Sequence, residues 1–156
     1  MILTTHALTG AVIGKNISNP WIIIILSLII HFIMDSFRHG EYFDSRTATI
    51  KDTAWKIILD LSFSGVIILS FLFFYKPDFH ITRNVLLGSF FSIFPDLLTV
   101  LFWKFKWSFL GRIKNFHAFC HRYSRFPAFS HERQWTLRNA LNDILLSLIA
   151  LVFIFL

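Results

Sequence analysis

Serine, histidine, aspartate and histidine recur at every fourth position in Ser27-x3-His31-x3-Asp35-x3-His39. On an α-helix a spacing of four stacks side chains along one face, so His31 and Asp35 can both reach a single cation. Neutral imidazole and carboxylate are ligands that zinc, iron and manganese accept. The same spacing also suits a plain His–Asp hydrogen bond that joins two helices. Gly40 follows His39 and predicts a helix end there, with His39 at the tip. A second pair, His117-x3-His121, also shares a helical face at a spacing common in zinc sites. No glutamate lies between the two, so this is not the metalloprotease motif. An interfacial amphipathic helix whose His and Arg meet lipid headgroups is the competing reading. His131 and Glu132 could extend the site.

Four of the nine acidic residues, Asp35, Asp60, Asp96 and Asp143, each fall within an apolar segment. A carboxylate inside a membrane span costs a few kcal/mol on insertion scales, so each needs a purpose. Asp96 follows Pro95, which removes a backbone hydrogen bond and kinks a helix. The kink can aim Asp96 inward, or Asp96 can cap the second half of the helix. Asp60, with Ser64 one turn on, faces the core if Phe63, Ile67 and Phe71 face lipid, and interhelical hydrogen bonding would also account for it. Asp143 lies among Asn139, Asn142 and Ser147, a patch that could support a site from behind and is read in preference as helix–helix hydrogen bonding.

The elements that must position these residues are membrane helices. The 156 residues are 55% hydrophobic and include 20 Phe, with a mean hydropathy of +0.62. A soluble domain of that length has too little interior to hide so much apolar surface. Spanning the hydrocarbon takes about 20 apolar residues. Four stretches are expected to do so: about 20–38, 55–75, 85–103 and 137–156. Ile2 to Gly14 is too short and is expected to fold back on the first span as a short helix, its Gly10 and Gly14 permitting close packing. The fold class expected is an all-α integral membrane bundle of four spans, a short N-terminal helix over 2–14 and a helical loop within 104–136, all one domain. No signal peptide is expected, because Met1 to Gly14 lacks a basic start and a cleavage pattern. Lone Cys120 excludes an intrachain disulfide.

Of the 15 Lys and Arg, 12 lie in 38–56 and 104–138. The positive-inside bias predicts that these two loops are cytoplasmic, in a multi-pass protein of the cell membrane. It also explains the net charge of +6 through a membrane surface without invoking nucleic acid. All four aspartates then fall within roughly 10 Å of one interface at 1.5 Å per residue. His6 and His31 lie equally far from the turn near Ile17 and Ser18 and should share a depth, which favours the metal reading. His80 belongs to the opposite side. Phe102-Trp103-Lys104-Phe105-Lys106-Trp107 reads as an interface anchor. Arg112, Lys114, Arg122 and Arg125 could meet a phosphate headgroup.

The opening Thr5-His6-Ala7-x2-Gly10-Ala11-x2-Gly14, the run His31-Phe32-x2-Asp35-x3-His39-Gly40, the Pro95-Asp96 pair and the later His-rich loop resemble the predicted membrane-bound metal-dependent hydrolases of bacteria and archaea. They are more distantly similar to the zinc-dependent phospholipase C group. The resemblance implies metal ligands at His6, His31, Asp35, Asp96, His117 and His121, and a divalent metal, zinc foremost. Two features depart from the pattern: Leu97 and Leu98 follow Asp96 where an acidic residue is common, and His121 continues as Arg122-Tyr123-Ser124-Arg125. The function expected is hydrolysis of a lipid or other phosphoester or ester at the cytoplasmic interface, with Asp60 or His39 as general base and membrane lipids as partners. A transporter or ion-binding protein, and a non-catalytic membrane protein, are the alternatives.

Overall fold

The structure, a computed structural model, describes residues 2–40, 50–121 and 136–156. Among the described residues there are six α-helices and no strand: α1 (Leu3–Asn16), α2 (Pro20–Asp35), α3 (Ile50–Tyr75), α4 (Phe79–Phe105), α5 (Ser108–Cys120) and α6 (Leu137–Phe155). The all-helical expectation is met. Helix α5 is the helix expected within 104–136. His131, Glu132, Arg122 and Arg125 lie outside the described residues.

Among the described residues, three helices are long and apolar enough to cross a membrane, over Ala54–Tyr75, Phe79–Phe105 and Leu137–Phe155. This is one fewer than expected, and α2 is the difference. Asn19 caps α2 by accepting from the Trp21 N–H, and Pro20 occupies the first turn, where its missing N–H costs nothing. The helix closes at Asp35, not Arg38, with Ser36 Oγ bonded back to the Ile33 carbonyl. Its 16 residues reach about 24 Å, short of a hydrocarbon core of about 30 Å. Its outward face is still apolar: Trp21, Ile25, Ile29 and Ile33 are exposed. On α3 the exposed face carries Ile58, Leu59, Phe63, Val66 and Phe73. Rows of large exposed apolar side chains on helices of this length fit lipid, not water.

Helix α1 is the hub, packing against α2, α3, α4 and α6. It is short and buried, so its unsatisfied N-terminal amides need partners from elsewhere. Two carboxylates supply them. Asp60 on α3 accepts from the Leu3 N–H (2.7 Å) and the Thr4 N–H (3.1 Å), and Thr4 Oγ1 also donates to it. Asp143 on α6 accepts from the Ile2 N–H (3.0 Å). Both negative charges sit at the positive end of the α1 dipole. Leu8, Ala11, Ile68, Phe71, Val85, Ala150 and Ile154 form the apolar core beyond these caps. Phe71 is therefore a core residue and not the lipid-facing one expected from its spacing with Phe63. At the far ends of α3 and α6, Tyr75 OH donates to the Phe155 carbonyl.

Candidate metal centre

The end of α2, the second half of α4 and the end of α5 meet around the Asp35 carboxylate, which is 1% exposed. Three imidazole nitrogens approach its Oδ2: His31 Nε2 at 3.0 Å, His117 Nε2 at 3.0 Å and His121 Nε2 at 3.3 Å. The nitrogens also crowd one another, with His31 Nε2 to His117 Nε2 at 3.2 Å and His121 Nε2 to His117 Nε2 at 3.0 Å. A tetrahedral zinc with bonds of about 2.0–2.1 Å holds its ligand atoms about 3.3 Å apart. The observed separations match that spacing.

Local structure sets each approach. His31 and Asp35 are one turn apart on α2, as are His117 and His121 at the end of α5. Lys106, at φ 56° in the left-handed region, turns the chain between α4 and α5, so that α5 folds back against α4 and α2. Phe32 and Phe116 pack edge to face with centroids 4.9 Å apart beside the cluster. Asp96 Oδ1 comes within 3.4 Å of His117 Nε2. His31, Asp35, Asp96 and His117 form one group able to hold a cation, and Asp35, His39 and His121 form another.

Proton positions decide what the cluster can bind. His31 Nδ1 is 2.7 Å from the Ser92 carbonyl, which can only accept. The proton of neutral His31 is therefore on Nδ1, and Nε2 is a bare lone pair. Thr99 Oγ1 donates its hydrogen to the Pro95 carbonyl (3.1 Å), so it accepts from His117 Nδ1–H at 2.8 Å. His117 Nε2 is bare as well. With His31 and His117 neutral, two lone pairs and a carboxylate oxygen converge within 3.2 Å. A cation is what such an arrangement accommodates.

No family model, curated protein or solved structure matches the chain. The candidate centre rests on its own geometry.

Of the residues expected to be ligands, the structure brings together His31, Asp35, Asp96, His117 and His121. His6 is placed differently. It shares the depth of His31, with ring centroids 4.2 Å apart, but its Nε2 faces Asp35 Oδ1 at 3.1 Å, the oxygen turned away from the imidazole cluster. There it donates to the carboxylate and orients it, as groups behind metal ligands commonly do. Ser92 and Thr99 were not expected to take part. Thr99 lies four residues after Pro95, where a hydroxyl can bond back to the proline carbonyl. The role of Ser92 is played by its backbone, so its side chain carries no signal.

His39 is 3% exposed, and burial above all pushes its imidazole down to about 2, so it is neutral. Burial, then the Asp35 charge, pushes the Cys120 thiol up and away from thiolate. The donor set is accordingly nitrogen and oxygen.

Asp60, expected as a general base, is engaged by the first turn of α1 through both carboxylate oxygens. Asp60→Ala should therefore lower stability by about 1–2 kcal/mol, the effect of losing a helix cap, and leave metal affinity near wild type. Unfolding in detergent and a metal titration on the same sample check this. Unchanged stability with lost hydrolytic activity would return Asp60 to the chemistry.

Proposed function

We propose that this protein is a membrane-embedded, metal-dependent hydrolase, with a divalent cation, zinc foremost, held by His31, Asp35, His117 and His121. The observation that carries this reading is the convergence of imidazole nitrogens on one buried carboxylate oxygen at the ligand spacing of a tetrahedral ion. A divalent ion held there would lower the pKa of a bound water and polarise a phosphoryl or acyl oxygen. His6 holds Asp35, Ser92 and Thr99 hold the imidazoles, and the helices exclude water from the inner side.

Asp96 is the member best placed to handle a proton. Its side chain is 26% exposed, against 0–1% for His31 and Asp35. Its Oδ2 is buried without a hydrogen-bond partner among the described residues. One oxygen can join the cation while the other accepts the proton of an attacking water. The concentration of Lys and Arg in 38–56 and 104–138 favours placing this end of the bundle at the cytoplasmic leaflet. A lipid phosphoester or ester presents its headgroup at that depth without leaving the bilayer. The resemblance of the His31–His39 run and the Pro95-Asp96 pair to metal-dependent hydrolases supports the same chemistry.

The purified protein should carry stoichiometric divalent metal. It should hydrolyse a phospholipid or ester substrate in mixed micelles, lose that activity to a chelator and regain it with zinc. Elemental analysis and product detection by mass spectrometry read both. A protein that neither retains nor takes up a stoichiometric ion would defeat the proposal.

A further inference from the structure

His39 Nε2 and His121 Nδ1 face each other at 3.1 Å, and together with Asp35 they could hold an ion of their own. Hydrogen-bond polarity gives them another role. His39 Nδ1 is 2.8 Å from the Phe37 carbonyl, which can only accept. The single proton of neutral His39 is on Nδ1, so its Nε2 is a bare lone pair aimed at His121. Neutral His121 has one proton to place. On Nδ1, that proton makes the bond to His39 and leaves His121 Nε2 bare. That nitrogen then faces His117 Nε2 at 3.0 Å and Asp35 Oδ2 at 3.3 Å. Every N–H of the four imidazoles His31, His39, His117 and His121 then has an acceptor. What remains is three bare Nε2 atoms and one carboxylate oxygen, the donor set of a single tetrahedral ion. With the proton on His121 Nε2 instead, two lone pairs would oppose each other at 3.1 Å, and a second cation would have to separate them.

We propose that His39 is a positioning residue: by accepting the His121 Nδ1–H it fixes the tautomer that makes His121 a nitrogen ligand of a one-ion centre. This rests on the metal-centre reading above and goes beyond it by setting the ion count at one. It also gives His39 a task other than ligand or general base. The pairing is the metal-ligand counterpart of a carbonyl or carboxylate behind a zinc histidine, with an imidazole lone pair as the acceptor.

The experiment is titration of the purified full chain with zinc and with cobalt, the cobalt visible spectrum reporting coordination geometry. Wild type should bind one ion with a tetrahedral spectrum. His39→Leu, which cannot accept a hydrogen bond, should still bind one ion, about 10–100-fold more weakly. His39→Gln, whose amide oxygen can accept, should recover most of that loss. In a His121→Ala background, His39→Leu should have no further effect. Two ions in wild type and one in His39→Leu would overturn the proposal, as would equal affinities in wild type, Leu and Gln variants. Those outcomes leave the metal centre itself standing. Failure of wild type to bind any ion defeats both.

Discussion

Asp35→Asn should empty the metal centre while leaving the helices folded. The carboxylate is buried and within 3.0–3.3 Å of four imidazole nitrogens, one of them on its far oxygen. The amide keeps its size but removes the only fully buried negative charge in the ligand set. Leaving a buried cation without its partner costs about 3–5 kcal/mol, or roughly two to three and a half orders of magnitude in dissociation constant. The variant also gains an N–H2 group that can donate to a bare imidazole nitrogen. The metal-free Asn variant should therefore unfold at a temperature no lower than metal-free wild type, although it no longer gains stability from added zinc. Thermal unfolding with and without metal, beside a zinc titration, reads both parts. Wild-type zinc affinity in Asp35→Asn would remove Asp35 from the centre. Acid should mimic the variant, since ligand imidazoles bind metal only when neutral. Zinc affinity should therefore fall steadily as the pH is lowered.

What could be read from the chain before its structure divides along the reach of local rules. The pairs His31/Asp35 and His117/His121 are one helical turn apart, and helix geometry alone puts each pair on one face. The match between His6 and His31 follows from counting outward from one turn, and the two ring centroids lie 4.2 Å apart. Counting residues could not show which oxygen of Asp35 His6 would meet, because that depends on how far α1 is rotated. Spacing along the spans points Asp60 and Asp143 toward the bundle interior but does not name their partners. Those partners are backbone amides of α1, 57 and 141 positions away, and an amide has no residue type to recognise. The length of α2 depended on Ser36 bonding back to Ile33, a local competition with the helix ladder that apolar run length does not register. Phe71 was assigned to lipid by its spacing from Phe63. Residues eight apart are offset by about 80° around a helix of 3.6 residues per turn, enough to take Phe71 into the core while Phe63 stays exposed.

Gly10→Val should be among the most damaging substitutions outside the metal ligands. A Cβ at Gly10 would run into the Gly88 carbonyl, and one at Gly88 into the Gly10 carbonyl. At Gly14 the obstacle is the Asn84 carbonyl. These are backbone atoms of α1 and α4, the most extensively packed helix pair in the bundle, and no side-chain rotation can relieve the overlap. Overpacking a core costs about 1–3 kcal/mol when side chains can shift. Here two helices must separate, so the upper end of that range or more is expected. The loss should extend to the metal centre. His6 lies one turn before Gly10, and Ser92, which holds His31 through its carbonyl, lies one turn after Gly88. Displacing α1 from α4 pulls His6 from Asp35 and shifts the seat of His31 together. Gly65 supplies the opposite case. It sits within α3 with nothing within 4 Å of where a Cβ would stand, so Gly65→Ala should be neutral or stabilise by up to about 1 kcal/mol through backbone entropy alone. The pair of variants separates close approach from the general cost of glycine in a helix. Gly10→Val should fold poorly in detergent and bind zinc weakly, and Gly65→Ala should match or exceed wild type on both measures. A Gly10→Val protein with wild-type stability would mean that α1 and α4 do not meet backbone to backbone, and that His6 and Ser92 are not brought to the metal ligands by that seam.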